Sequence, residues 1–145
     1  MRARVHHRGT VMKAIKVDHL GIAVKDIAEA GTFFRDVLGL ELGRTETVED
    51  QKVSTAIFSL GNIGVELMES TSPDGPVAGF IEKRGEGIQH LAIQVDNLEK
   101  AIEELKGKGI RLIDEQPRAG ASGSRIAFLH PKSTFGVLIE LTERS

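Results

Sequence analysis

The chain has 145 residues, 40% hydrophobic and 28% charged, and its 19 Lys+Arg against 21 Asp+Glu leave a formal charge of −2. It contains no cysteine, tryptophan or tyrosine, which excludes disulfides, thiolate nucleophiles, Fe–S clusters and cysteine-ligated zinc. Near-neutral charge and few aromatics argue against a nucleic-acid partner. No apolar run approaches the roughly 20 residues that cross a bilayer, so no membrane role is expected and the cytoplasm is the expected location.

Residues 1–14 read as a flexible leader, and 15–145 as one domain. In 17–24, Leu20, Ile22 and Val24 alternate with His19, Gly21 and Ala23, the period of a half-buried strand. Asp26 with Glu29 then reads as a helix N-terminus. Ile27, Ala30, Phe34, Val37 and Leu38 follow at helical spacing, and Gly39 is a stop. Strand-like segments come next at 40–46, 53–60 and 63–69. The link 71–86 holds a turn and a short helix, with Pro76 at its first position and Gly85 at its end.

The pattern then starts again. In 88–95, Leu91, Ile93 and Val95 alternate with His90, Ala92 and Gln94. Asp96 with Glu99 reads as the next N-cap, Leu98, Ala101, Ile102 and Leu105 as the apolar helix face, and Gly107 and Gly109 as stops. Strands are expected at 110–115, 125–130 and 136–142.

This recurrence is a duplication, visible in the letters themselves. DHLGIAVKDIAEA (18–30) aligns with QHLAIQVDNLEKA (89–101) at an offset of 71, placing His19 on His90. VELME (65–69) aligns with IELTE (139–143), placing Glu66 on Glu140. The expected fold is therefore α+β: two tandem βαβββ modules, about 15–70 and 87–143, whose sheets form a cup-shaped metal-binding cavity. By strand parity both histidines and both glutamates face away from the aliphatic side. If the sheets close on each other, pseudo-twofold symmetry brings the four together. Two imidazoles and two carboxylates suit one borderline divalent cation per chain, with Co, Zn, Mn and Ni as candidates and Fe(II) also compatible.

Four stretches resemble the vicinal oxygen chelate superfamily (glyoxalases, bleomycin-resistance proteins, dioxygenases), and within it the methylmalonyl-CoA epimerase branch. They are DHLGIAVKD (18–26), LGNIGVELMES (60–70), EKRGEGIQHLAIQVDN (82–97) and GASGSRIAFLHPKSTFGVLIEL (120–141). The resemblance covers roughly 16–143. It implies metal ligands at His19, Glu66, His90 and Glu140, a small acyl-CoA substrate, and a homodimer. It also implies exchange of the (2R) and (2S) forms by removal and return of the C2 proton through a metal-stabilised enolate, with Glu140 and Glu66 catalytic. Some members carry a further glutamate on the strand equivalent to 53–58. Thr55 stands there in this chain, and Glu46 or Glu49 could replace it only if their loop folds inward.

For the CoA moiety, Lys132, Ser133 and Arg125 are candidate contacts, along with the backbone of the AGASGS turn (119–124). His130 could bond the substrate carboxylate or fix its own turn. The rival readings are a glyoxalase I-like lyase, an Fe(II) dioxygenase using His19, His90 and Glu140, and a metal-free protein that sequesters a small molecule.

Overall fold

The computed structural model describes residues 12–144. The first module runs β1 (Ala14–Ala23), α1 (Ile27–Thr32, continued by one π-helical turn to Val37), β2 (Glu41–Val48), β3 (Val53–Leu60) and β4 (Ile63–Ser70). The link carries α2 (Pro76–Arg84). The second module runs β5 (Gly87–Val95), α3 (Leu98–Gly107), β6 (Arg118–Ala119), β7 (Arg125–Leu129) and β8 (Ile139–Glu143). The expected leader falls, through residue 11, outside the described residues. Within them, Met12 packs against the second module's core and its N–H donates to Glu104 at 2.9 Å.

All eight strands join one sheet in the order β2-β3-β4-β1-β5-β8-β7-β6. The order is a palindrome about β1 and β5, which pair antiparallel at the centre, and each of these pairs parallel with its own module's last strand. This is the expected pair of βαβββ modules, with the curled sheet forming the cup. Beyond shifts of one to three residues at strand ends, two features differ from the sequence reading. The segment 110–115 makes only a single bridge, Leu112 to Leu129, and the module's edge strand is the two-residue β6. The cap of α3 is Asn97, whose side chain accepts from Lys100 N–H at 3.0 Å, one residue after the expected Asp96. Asp96 instead accepts from Lys13 N–H.

The convex face of the sheet holds the cores. Val24, Ala56, Phe58, Val65 and Leu67 pack with Ile27, Ala30 and Phe34 of the first helix. Val95, Ala127, Leu129 and Leu141 pack with Leu98, Ala101 and Ile102 of α3. A helix of six residues is not stable by itself in water, so α1 owes its form to this packing. Fully burying a side chain such as Phe58 or Leu67 is worth about 1.5–3 kcal/mol. These cores take Val65 and Leu67 of β4 and Ile139 and Leu141 of β8, and leave Glu66 and Glu140 to the concave side. A third cluster, Ala23, Val48, Val53, Met68 and Val77 with Phe80 and Ile81, seats α2 at one end of the cup.

Candidate metal centre and active site

The cup encloses about 180 Å³, and His19, His90, Glu66 and Glu140 all line it. All four are buried, between 3% and 8% exposed. The Nε2 atoms of His19 and His90 lie 3.2 Å apart. Glu66 Oε1 is 3.3 Å from His19 Nε2 and 3.7 Å from His90 Nε2. Glu140 mirrors it, with Oε1 at 3.3 Å from His90 Nε2 and Oε2 at 3.7 Å from His19 Nε2. Ligand atoms of His19, His90 and Glu140 all lie within 4.8 Å of one another.

Two β-bulges aim the rings. Along the central pair, Val17 faces Ile93 and His19 faces Ala92, which leaves Asp18 as an extra residue in β1. Ile22 faces Ile88 and Gly21 faces His90, which leaves Gln89 as an extra residue in β5. Each extra residue turns its side chain to the histidine that follows it. Asp18 Oδ2 accepts from His19 Nδ1 at 2.7 Å, and Gln89 Oε1 accepts from His90 Nδ1 at 2.8 Å. Strict alternation hides this, because it puts a residue and its neighbour on opposite faces. The signal was present nonetheless: both histidines are preceded by a side chain with an acceptor oxygen.

Asp18 is held in turn by Arg144, whose Nε and Nη2 donate to Oδ1 and Oδ2, both at 2.8 Å. Burial disfavours the charged Asp18 carboxylate, but the bonds from Arg144 and His19 outweigh it and keep the group well below the usual carboxylate range. Burial likewise disfavours a charged His19. The bond to Asp18, then Glu66 and the charge of Glu140, reverse that and push its pKa up to about 10.

The donor set fits a divalent cation. With both Nδ1 atoms committed as donors, two Nε2 atoms and two carboxylates converge on one point, and only positive charge can satisfy them. The raised affinity of His19 for a proton expresses the same demand. The backbone makes room as well. A Cβ built on Gly21 would stand 2.1 Å from His90 Cε1, so the glycine is a seat for the ring. Phe128 meets the other side of that ring edge-on, with centroids 5.7 Å apart.

The remaining candidates fall in different places. Thr55 is buried in the cup wall, and its hydroxyl donates to Glu46 O at 3.4 Å. Neither Glu46 nor Glu49 lines the cup. Glu46 Oε1 accepts from Ser122 N–H at 2.9 Å, where Ser122 has a left-handed backbone (φ 60°). The amide of the AGASGS turn that could greet a phosphate is thus taken by a carboxylate of the other module. Gln51 donates to Ala119 O and Arg118 pairs with Asp50, so the two edges of the sheet are tied side by side.

Arg125 lies on the helix face and pairs with Glu99 and Glu143, because its parity on β7 is that of Ala127 and Leu129. Lys132 and Ser133 sit in the turn after β7, where Lys132 N–H donates to His130 Nδ1 and Ser133 Oγ accepts from Arg111 N–H. That turn is outside the cup, and His130 fixes it.

A fold of paired βαβββ modules around a His-His-Glu cluster defines a class, and comparison with known proteins agrees. Residues 18–128 match the family model for the Glyoxalase/Bleomycin resistance protein/Dioxygenase superfamily, and the chain belongs to it. Among relatives, it is 38% identical over 136 residues to the mitochondrial methylmalonyl-CoA epimerase of Bos taurus, covering 93% of this chain and 78% of that one. The solved methylmalonyl-CoA epimerase from Mycobacterium tuberculosis superposes with a TM-score of 0.89 at 37% identity, over 97% and 96% of the two chains. A methylmalonyl-CoA epimerase solved in complex with methylmalonyl-CoA and NH4+ gives 0.88 at 34% identity, over 92% and 96%. By kinship and fold the chain stands with enzymes of the isomerase class. Among its described residues no helix is long and apolar enough to cross a membrane.

Proposed function

We propose that this protein interconverts the (2R) and (2S) forms of methylmalonyl-CoA by moving the proton on C2. The observation that carries the proposal is the placement of two buried carboxylates, Glu66 and Glu140, on either side of the paired imidazoles in a walled cup. Glu140 takes the C2 proton from one face, the C–H electron pair becomes the π bond between C2 and the thioester carbon, and the carbonyl π pair moves onto the thioester oxygen. A proton returned from the opposite face, with Glu66 as its source, gives the inverted centre. The reverse reaction exchanges the two roles. His19, His90, Glu66 and Glu140 would hold a divalent ion (Co, Zn, Mn or Ni), which when bound supplies Lewis-acid stabilisation of the charge developing on that oxygen. Thr55, Ile57, Ile126 and Phe128 keep water from the reacting carbon.

The CoA arm belongs in a second cavity of about 340 Å³ that shares Pro76, Gln89 and Leu138 with the cup and carries Lys83 and Arg84. Pro131, beside Lys132 and Ser133, also lines it. A homodimeric, cytoplasmic enzyme completes the proposal. Incubation with (2S)-methylmalonyl-CoA in D2O tests it: deuterium should enter C2 as the (2R) form accumulates. Turnover of a hemithioacetal without C2 exchange would instead establish a glyoxalase-type lyase on the same donor set.

A further inference from the structure

We infer that Arg144 is the positioning residue of the metal centre: by clamping Asp18 it fixes His19 as a nitrogen donor. The inference rests on the metal-centre reading of the cup. Asp18 is 8% exposed and sits in a bulge, so nothing in the strand ladder dictates where its carboxylate points. The fork of Arg144 does so, because two parallel bonds of 2.8 Å fix both the position and the plane of the group. In that plane Oδ2 faces His19 Nδ1 at 2.7 Å. An ionised carboxylate only accepts, so Nδ1 must carry the hydrogen and Nε2 turns its lone pair to the centre. An unclamped Asp18 could rotate away, and His19 would then be free to adopt the other tautomer.

The clamp also couples the modules. Glu140, Thr142 and Arg144 alternate along β8 and the residue after it, so one face delivers a ligand carboxylate and, four residues later, the brace for the opposite ligand. Arg144 reaches Asp18 across 126 positions of sequence. The duplication does not repeat this device. Ser70 occupies the place of Arg144 after VELME, and its hydroxyl bonds Ser72 O and Lys52 O rather than Gln89.

The test compares wild type with Arg144→Met, which keeps the stem and removes the fork, and Arg144→Lys, which keeps the charge without the planar fork. Co(II) and Zn(II) are titrated into metal-free protein against a competing chelator. Loss of a partner that orients a metal-bound histidine costs about 10–100-fold in affinity. Arg144→Met should show that loss, and Arg144→Lys a smaller one. Nitrogen NMR of the metal-free proteins, followed to the alkaline side of the His19 titration where the ring is neutral, should show the remaining proton on Nδ1 in wild type and a mixture of tautomers in Arg144→Met. A brace that merely supports the fold would lower the melting temperature and leave both readouts unchanged, which would overturn the inference. If Arg144→Met fails to fold, Arg144→Lys decides by the same measurements. Wild-type protein that takes up no divalent ion would sink the metal-centre reading itself, and the tautomer signal would then judge Arg144 alone.

Discussion

In the first module His19 leans on an ionised carboxylate, Asp18, which is anchored by Arg144. In the second, His90 leans on the neutral amide of Gln89. The strands opposite them also differ. His19 faces Ala92, whereas His90 faces Gly21 and its ring occupies the space a Cβ would take. Duplication has preserved the bulge and the histidine in both halves, but the means of holding the ring has diverged. The first half positions its histidine electrostatically and the second by shape. A carboxylate partner raises the basicity of a ligating imidazole more than an amide does, so the two halves should grip a cation unequally.

Substitutions can break or sharpen this contrast. The largest effect is expected where the halves share one chemistry. Glu140→Gln should lower turnover by about 10²–10⁴-fold, the usual worth of a general base. Deuterium wash-in rates for Glu140→Gln and Glu66→Gln, each started from either epimer, would show whether the two carboxylates serve opposite faces. Near-wild-type exchange by Glu140→Gln would remove it from the mechanism.

Gly21→Ala attacks the half that relies on shape. The new methyl must displace the His90 ring, and overpacking of this kind costs about 1–3 kcal/mol. Thermal unfolding should register that cost, and elemental analysis a loss of bound metal. The reciprocal Ala92→Gly, beside His19, should leave metal content nearly unchanged. An equal metal loss in both variants would mean that Gly21 is no special seat.

Gln89→Leu should weaken metal binding less than Asp18→Asn does, because the amide contributes orientation without charge. Isothermal titration with Zn(II) can rank the two, and the reverse order would contradict the division of labour drawn here. The smallest effect is expected at Thr142, whose buried hydroxyl has no partner among the described residues. Removing an unsatisfied buried group in a near-isosteric change can be neutral or stabilising. Thr142→Val should therefore melt at or slightly above the wild-type temperature.

The four converging side chains were legible because duplication printed them twice and strand parity put them on one face. Their supports were not. A bulge adds one residue to one strand, and alternation cannot register it without knowing the partner strand, so Asp18 and Gln89 stayed hidden beside the histidines. Arg144 has no counterpart in the repeat, since Ser70 stands in the corresponding place. The segment 110–115 has strand-like letters, but its side of the sheet offers only the Leu112–Leu129 bridge, and pairing passes to Arg118–Ala119. Arg125 looked like an anion contact by its charge and its glycine-rich neighbours. Its parity, shared with Ala127 and Leu129, was the better guide.

The central antiparallel pair of β1 and β5 puts the donor cluster astride the joint between the two halves. Residues up to 70 contribute His19 and Glu66, and residues from 87 contribute His90 and Glu140, so each half owns one imidazole and one carboxylate. A bound cation would act as a staple between half-proteins. At a free concentration one hundred times its dissociation constant, such a ligand adds about 2.7 kcal/mol to whatever state it selects. Fragments produced by a cut in the 71–86 link would then reassociate more tightly as metal is added. The centre that serves chemistry would also clasp a duplicated chain into one piece.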